Sequence, residues 1–335
     1  MSVTIKDVAK RAGVGIGTVS RVLNGGNSVR ESTKEKVEEA IKALEYTPNQ
    51  QARRLVTGKS LTVGIIAPFF TSQSVVERLR GIESIIAASN YDMIMFNIDS
   101  RNRLDKYTRQ LVSDDKVDGL IVISMGTENE EIARLVTARI PTVILDAESE
   151  TMSNVTIDDV VGGYKATRHL IKLGHVIIGF VSDKLQAELG NHSSDDRFEG
   201  YKQALADSKI PFRPELVQTL GNTRQDGYQM GNSILRQENR PTAIVAGSDV
   251  LAVGIMQAAR ERGLEIPYNL SIIGYDDIEM AEFMDLTTIR QPLYESGKKA
   301  AEMLLRLLNN PELEKEEYLL PTSVVIRGST AVVPR

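Results

Sequence analysis

The chain has 335 residues, with 40 Lys and Arg against 45 Asp and Glu, so its formal net charge at pH 7 is −5. It contains no cysteine, which excludes disulfide bonds and thiolate metal sites. No apolar run is long enough to span a membrane, and the polar N-terminal segment is unlike a secretory signal. The length suffices for a small head and one or two larger lobes.

A segment near the N-terminus, Val14–Gly25, has the pattern of the second helix of a helix-turn-helix. Val19, Val22 and Leu23 have the i, i+3, i+4 spacing of one buried helical face. The residues on the outer side and its flanks are Ile16, Gly17, Thr18, Ser20 and Arg21. In such motifs the start of this helix enters the DNA major groove, where Arg21 would contact guanine and the short hydroxyls would contact phosphates. The alternative is an ordinary surface helix.

The flanking residues favour the DNA-binding interpretation. Thr4 followed by Asp7 is the pattern of a capping box, and an apolar stripe then runs to Gly13, which predicts a helix and a turn. A third helix is predicted from about Ser32, with apolar residues at i, i+3, i+4 and i+7. Three short helices with a glycine turn between the first two match the helix-turn-helix motif.

Charge is unevenly distributed along the chain. Residues 1–60 contain 11 Lys and Arg against 6 Asp and Glu, a net charge of +5. The remaining residues contain 29 against 39, a net charge of −10. A basic head on an acidic body is typical of a DNA reader with a separate sensing domain, although acidic bodies are common among soluble proteins.

From Leu61 onward, short apolar runs alternate with amphipathic segments, and this alternation begins again after Asp158. The predicted strands are Leu61–Ala67, Met93–Ile98, Gly119–Ile123, Thr142–Leu145, Ile177–Ser182, Leu216–Leu220, Thr242–Ala246 and Leu270–Tyr275. The predicted helices are Val75–Ala88, Gly162–Leu173, Arg197–Ser208, Tyr228–Arg236, Val250–Gly263 and Tyr294–Leu308. Two sets of βαβ units predict an α/β body with two parallel sheets.

The sequence predicts no catalytic constellation and no metal site. His169, His175 and His192 show no metal-ligand grouping, and His175 after Gly174 is interpreted as a capping residue at a helix end. Three adjacent acidic pairs lack a partnering nucleophile or cofactor motif. We therefore expect neither an enzyme nor a bound cofactor.

Chemically informative residues follow the predicted strands, at the edge where parallel sheets bind ligands. They are Phe69, Phe70, Asp146, Ser248, Asp249 and Asp276, together with Arg197 at the start of a predicted helix. Arginine and aspartate beside aromatic faces suit the hydroxyl groups of a sugar. The alternatives are that the loop aspartates cap helices and that the arginine belongs to a surface ion pair.

The head resembles that of the lactose/galactose repressor (LacI/GalR) family. The matching segments, in the order and spacing of the family, are Thr4–Ala9, Ala12–Val14, Thr18–Gly25 and Tyr46–Asn49. The resemblance implies an N-terminal three-helix head, a hinge, and a two-lobed body like a periplasmic binding protein. The implied bounds are 1–46 for the head, 47–60 for the hinge, 61–335 for the body, about 61–158 and 293–320 for lobe 1, and about 159–290 and 322–335 for lobe 2.

The same resemblance assigns roles on DNA. It places Ile16 and Gly17 opposite base edges. The residues implied to contact phosphates are Thr4, Lys6, Thr18, Ser20, Asn24 and Ser28. The implied hinge residues are Thr47 or Asn49 as the helix cap, Leu55 as the wedge in a central minor-groove step, and Ala52 against the same groove.

In the body, the resemblance implies that Arg197 and Asp276 hold polar groups of an effector from opposite sides of a cleft. Thr223 falls near a position that is often aromatic in relatives.

The sequence thus predicts a ligand-responsive transcriptional repressor that acts as a cytoplasmic homodimer on operator DNA, with a sugar or related metabolite as effector. One alternative is a regulator controlled by a protein partner. A solute-binding protein without DNA function is a second alternative, and the basic head argues against it. A sugar-processing α/β enzyme is a third, and the lack of a catalytic constellation argues against it.

Overall fold

A computed structural model describes residues 3–23, 29–46, 59–114, 116–184 and 192–333. The chain divides into two compact units, Met1–Ser60 and Leu61–Arg335. The first unit is helical, and the second is an α/β body with two six-stranded sheets, which confirms the predicted fold class. The sequence-predicted DNA contacts Asn24, Ser28, Asn49, Ala52 and Leu55 lie outside the described residues.

The head consists of three helices packed around one small core. They are α1 (Ile5–Ala12), α2 (Ile16–Leu23) and α3 (Glu31–Ala43). Each helix contributes one fully buried valine, namely Val8, Val19 and Val37. Gly13 ends α1 with a φ of 68°, a left-handed conformation that glycine adopts without steric cost, and so makes the sharp turn into α2.

The first sheet of the body is entirely parallel. Its strands are β1 (Thr62–Pro68), β2 (Asp92–Ile98), β3 (Gly119–Ile123), β4 (Thr142–Leu145), β5 (Ser153–Ile157) and β11 (Glu317–Leu320). Their order is β11-β5-β4-β3-β1-β2. The helices of this lobe are α4 (Gln73–Ile86), α5 (Arg101–Ser113), α6 (Glu130–Thr137) and α12 (Leu293–Asn309). A hydrophobic core lies on each face of the sheet, which explains why its central strands are continuous apolar runs.

The second sheet repeats this architecture with one antiparallel edge. Its strands are β6 (Ile178–Asp183), β7 (Val217–Leu220), β8 (Ala243–Ala246), β9 (Ser271–Asp276), β10 (Thr288–Arg290) and β12 (Ser323–Val325). Their order is β12-β10-β9-β8-β6-β7, and only the β10–β12 pairing is antiparallel. The helices of this lobe are α7 (Asp159–Lys172), α8 (Ser193–Asp207), α9 (Arg224–Ile234), α10 (Asp249–Glu261) and α11 (Glu279–Phe283).

The chain passes between the two sheets three times, so neither lobe is one continuous segment. The passages join β5 to α7, β10 to α12, and β11 to β12. Helix α12 packs against α4 and against strands of the first sheet. The carboxyl ends of both sheets therefore meet the connecting segments, which is where the ligand-binding edge of a parallel sheet lies.

The predicted strands agree with the observed ones to within one or two residues, and Gly119–Ile123 and Thr142–Leu145 agree fully. Strand β5 and the three short strands β10, β11 and β12 were not predicted. The helices α8 and α9 begin four residues earlier than predicted, because their first turns are polar and carry no apolar periodicity.

Glycines let pairs of helices cross in direct backbone contact. In α12, a Cβ on Gly297 would lie far inside van der Waals contact with the carbonyl oxygen of Arg78 in α4. The same holds between Gly163 of α7 and the carbonyl of Arg197 in α8. These crossings fix the backbone at two buried arginines.

We expect Gly297→Ala to lower the free energy of unfolding by about 1–3 kcal/mol, because the added methyl forces α4 and α12 apart. Chemical denaturation measures this change. The matched control is Gly231→Ala in α9, whose added Cβ would meet the Cβ of Ala258 and the Cα of Ile255 at 3.1 Å, so that a small shift suffices and the helix gains from alanine. Equal stability of the two variants would contradict close packing at the α4–α12 crossing.

Candidate DNA-reading helix and ligand cleft

Helix α2 presents its sequence-predicted outer face to solvent. Val19 is fully buried, whereas Ile16 is 45% exposed and Gly17 and Arg21 are also exposed. A Cβ built on Gly17 would meet no heavy atom within 4 Å, so this part of the helix surface is open. The structure therefore leaves an apolar side chain, a bare backbone and a guanidinium available on one face, with Thr18 and Ser20 half-buried beside them.

Thr4 and Lys6 lie at the start of α1, and both are exposed. The amide of Thr4 donates to Oδ2 of Asp7 at 2.9 Å, and its hydroxyl donates to the same oxygen at 2.7 Å. Hydrogen bonds from Thr4 lower the pKa of Asp7. Both donors of Thr4 are thus used in helix capping, so a phosphate contact by Thr4 requires the cap to open.

In the body, Arg197 is held by three buried partners. Its Nε donates to Oδ1 of Asp159 at 2.8 Å, its Nη1 donates to the carbonyl oxygen of Gly247 at 2.6 Å, and its Cζ lies 4.0 Å from the ring centroid of Tyr275. Burial alone would lower the pKa of Arg197, but the charge of Asp159 outweighs it and the pKa is raised. The guanidinium is therefore a permanently charged wall of the cleft.

Asp276 ends β9 with a φ of 113°, a strained conformation for a residue with a side chain. Its Oδ1 accepts a hydrogen bond from Nε2 of Gln291 at 2.6 Å. Burial raises the pKa of Asp276 to about 6, although Arg197 and Arg78 oppose the rise. Strain and a buried carboxylate at one position are typical of a functional site.

Arg78 and Asp146 form the facing part of the cleft in the first lobe. Nη2 of Arg78 donates to Oδ1 of Asp146, and Ser124 donates to Oδ2 of Asp146 at 2.7 Å. The same Nη2 lies 3.4 Å from Oε1 of Gln291, which in turn contacts Asp276. A continuous polar chain therefore joins the two lobes through Gln291, at the passage from β10 to α12.

This geometry corrects the predicted placement of Arg197 and Asp276. Both belong to the second lobe, on α8 and β9, so they do not face each other across the cleft. The opposite side is formed by Asp146, which was predicted, and by Arg78, which was not. The sequence feature that could have identified Arg78 is its place within the apolar stripe of α4, three residues after Val75. A charged residue at such a position needs a buried partner.

Asp249, which was predicted to contact the effector, is fully buried inside the second lobe. Its Oδ2 accepts from the amide of Ile278 at 3.0 Å, and its Oδ1 accepts from the hydroxyl of Thr288 at 2.6 Å. Burial raises the pKa of Asp249 well above its usual value. The carboxyl group thus ties the segment after β9 to β10, and it is not accessible to a ligand.

Thr223 and Ser248 are helix caps in the structure. Thr223 and Asp226 form a capping box at the start of α9. Ser248 accepts from the amide of Leu251 at 3.3 Å and donates to Oδ1 of Asn222 at 2.8 Å. The alternative interpretation, that polar residues after strands cap helices, fits these two positions.

The predicted aromatic residues follow β1 directly. Phe69 is 66% exposed with a φ of 48°, and Phe70 is 38% exposed. Their exposure leaves apolar ring surface at the carboxyl edge of the first sheet. Such surface suits the ring face of a bound sugar.

The interpretation of His175 as a helix cap is confirmed for its backbone, because its amide donates to the carbonyl oxygen of Leu170 at 3.2 Å after Gly174 has turned the chain with a φ of 91°. The side chain of His175 has a separate role. Its Nδ1 lies 2.9 Å from the hydroxyl oxygen of Thr242, and its Nε2 lies 3.1 Å from both the hydroxyl oxygen of Ser271 and the carbonyl oxygen of Ala331. Burial lowers the pKa of His175. The imidazole therefore anchors the C-terminal segment to the second sheet.

Within the described ranges, no three His, Asp or Glu side chains are grouped so that they could hold a metal ion. No helix in this part of the chain is long and apolar enough to cross a membrane.

A head with a solvent-facing second helix and a two-lobed body with a polar cleft define the class of ligand-responsive DNA-binding regulators. Residues 4–49 match the model described as bacterial regulatory proteins, lacI family, and residues 167–330 match the periplasmic binding protein-like domain. Catabolite control protein A of Priestia megaterium is 34% identical over 334 residues, covering 98% of this chain and 100% of that protein. The chain belongs to the LacI family of transcriptional regulators.

Other relatives extend the comparison. The PurR repressor of Yersinia pestis is 34% identical over 339 residues, covering 99% of this chain and 98% of that protein. The Lac repressor dimer bound to operator and the anti-inducer ONPF has a TM-score of 0.87 at 28% identity, covering 99% of this chain and all of that chain. A ribose-bound LacI family regulator from Enterococcus faecium has a TM-score of 0.71 at 34% identity, covering 82% and 100% of the two chains.

The raised pKa of Asp276 predicts a pH-dependent stability. Between about 3.9, the value in an unfolded chain, and about 6, the folded state binds more protons than the unfolded state. Asp276 therefore makes the chain less stable as the pH rises through this window. We expect Asp276→Asn to raise the free energy of unfolding by about 1–3 kcal/mol at pH values above this window, with the gain vanishing toward the acidic end.

Denaturation of both proteins across the window measures this difference. The control is Glu316→Gln, which removes a half-buried carboxylate that lies just before β11 and pairs with Arg306 at 2.8 Å, far from the cleft. A variant Asp276→Asn that is less stable than the wild type at neutral pH would show that the carboxylate is a net stabiliser.

Proposed function

We propose that this chain is a cytoplasmic homodimeric repressor that binds operator DNA through α2 and the hinge, and whose affinity for DNA is set by a sugar or related metabolite in the cleft. The observation that carries the proposal is the polar chain Asp146–Arg78–Gln291–Asp276, which spans both lobes at the carboxyl ends of their sheets. A ligand that contacts either end changes the relative free energies of the open and closed arrangements.

Solved relatives support the class of ligand. Two similar solved structures are the LacI family regulator from Enterococcus faecium with bound ribose and the transcriptional regulator CelR in complex with cellobiose. In this chain, the exposed rings of Phe69 and Phe70 and the polar groups of Asp276 and Arg197 supply the apolar face and the hydrogen-bonding groups that a sugar requires.

The proposed mechanism couples the cleft to DNA through the lobes. Ligand binding shifts the first lobes of the two subunits relative to each other and so orders or melts the hinge. Because the coupling is thermodynamic, operator DNA changes the affinity for ligand by the same factor. We expect no enzymatic turnover of the ligand, since the cleft residues bind and orient and none has the arrangement of a nucleophile and base.

The dimer contact is proposed to include the edge strand β2. Its residues Met93, Ile94 and Met95 are each between 37% and 40% exposed, although they lie on a sheet edge. An exposed apolar edge strand promotes aggregation unless another surface covers it. The Lac repressor, a structural relative, is described as a dimer on its operator, which supports a second copy of this chain as the covering partner.

Fluorescence anisotropy with operator DNA tests the function. A library of randomised DNA is first used to select a site, and candidate sugars are then titrated into the complex. A specific site whose affinity changes with one sugar supports the proposal. A chain that binds sugar but shows no sequence preference on DNA would instead be a solute-binding protein. A response that requires a protein partner would favour a regulator controlled by that partner.

Arg21→Ala is expected to lower the specific affinity by about 1–3 kcal/mol and to relax the preference for guanine, because a bidentate contact with a base edge is lost. Lys42→Ala, at an exposed position in the last turn of α3, is the control for loss of a positive charge in the head. If both variants lose affinity equally on specific and random DNA, Arg21 contacts only the backbone.

The selected sites should have a tolerant half-site. Ile16 offers only an apolar contact to a thymine methyl, and Gly17 offers no side chain, so discrimination rests on Arg21 and on the step into which Leu55 is proposed to insert. We expect one or two strongly preferred positions, a strict centre and a steep dependence on salt. Uniformly high information across the half-site would show that α2 reads bases in another way.

A further inference from the structure

The proposed ligand cleft is lined by charged side chains, and the inference drawn from them rests on the proposed function. Five buried charged side chains from both lobes face this cleft. They are Arg78, Asp146, Asp159, Arg197 and Asp276. The five charges act on one another: those of Arg197 and Asp146 influence the pKa of Asp159, and those of Arg197 and Arg78 influence the pKa of Asp276. Among these described side chains, three carboxylates stand against two guanidiniums, so the cleft carries a surplus of negative charge.

Neither guanidinium is free to neutralise an anion. Arg197 is paired with Asp159, donates to the carbonyl of Gly247, and stacks on the ring of Tyr275. Arg78 is only 2% exposed and is paired with Asp146, which is itself fixed by Ser124. A ligand phosphate would have to break one of these buried pairs and leave a carboxylate uncompensated.

A neutral ligand meets a different environment. Nε of Arg78 is buried and has no hydrogen-bond partner among the described residues. This N–H is suited to donate to the hydroxyl or ring oxygen of a neutral ligand without disturbing the pair with Asp146. The carboxylate of Asp276, in turn, accepts hydrogen bonds and so matches a hydroxyl donor. A polyol has both kinds of group, whereas a phosphate at neutral pH has mainly acceptors and about −1.5 to −2 charges.

We propose that Asp146, by pairing with Arg78, is a specificity-determining residue that restricts the cleft to neutral polyhydroxyl ligands and excludes their phosphorylated forms. Asp146 thus acts on ligand choice through Arg78. When the carboxylate of Asp146 is removed, the guanidinium of Arg78 becomes a site for anions.

Calorimetry on the full-length wild type tests the exclusion with matched pairs, namely ribose with ribose 5-phosphate and glucose with glucose 6-phosphate. We expect the phosphorylated member of any binding pair to bind at least about tenfold more weakly, since one like charge shifts an equilibrium by this factor or more. We also expect millimolar inorganic phosphate to raise the melting temperature no more than sodium chloride of equal ionic strength. Tighter binding of a sugar phosphate, or stabilisation by phosphate that Arg78→Gln abolishes, would overturn the proposal.

Asp146→Asn tests the role of the carboxylate while keeping its shape. We expect phosphate to stabilise this variant at least about tenfold more effectively than the wild type, and the added substitution Arg78→Gln to remove the effect. Glu316→Gln removes a charge from the opposite end of the first sheet and is the control. A folded Asp146→Asn protein that responds to phosphate as Glu316→Gln does would refute the role of Asp146. Because this variant leaves a buried arginine uncompensated, the wild-type titrations serve as a test that needs no variant.

Operator binding measured on the same preparations separates the two claims. If the protein binds operator DNA and binds sugar phosphates more tightly than neutral sugars, the charge selectivity is refuted and the proposed function stands. Charge selectivity without operator binding refutes the proposed function alone.

Discussion

The structure depends on the cost of keeping two arginines away from water. A guanidinium that is removed from solvent must recover its hydration energy from carboxylates and carbonyls with good geometry. Arg197 does so with Asp159, and Arg78 does so with Asp146. These pairs place four charges beside the cleft, and Gln291 links the pair of the first lobe to Asp276 in the second. The position and the chemistry of the proposed ligand site follow from these pairings.

Backbone packing supplies the precision that the charged groups need. The carbonyls of Arg78 and Arg197 lie at helix crossings where only glycine fits on the other helix, so both arginines begin from a fixed backbone. Ser124 and Asp146 directly follow strands, and Asp276 is the last residue of one. All three residues have positive φ angles, which direct them to one edge. A site that is held on rigid elements in this way keeps its geometry when a ligand arrives.

Hydrophobic patterns were enough to predict the central strands, because strands buried on both faces are continuous apolar runs. The short strands β10, β11 and β12 escaped prediction, since segments of three or four residues are too short to show a clear period. At the site, position after a strand identified Asp146 and Asp276, but it could not separate them from Asp249, whose carboxylate faces the interior. Local sequence has no information about which direction a buried side chain takes once the lobes pack.

The three passages between the sheets also set an order of events during synthesis. Strands β6 to β10 of the second lobe are translated as one stretch, and only β12 is added later. The first lobe, although translated earlier, lacks α12 and β11 until the chain has grown to Leu320. Synthesis of the first lobe thus begins before that of the second lobe but ends after most of the second lobe has been translated. Until then the exposed side of its sheet, including the surface that α12 will cover, is the part of the nascent chain that most needs protection from aggregation.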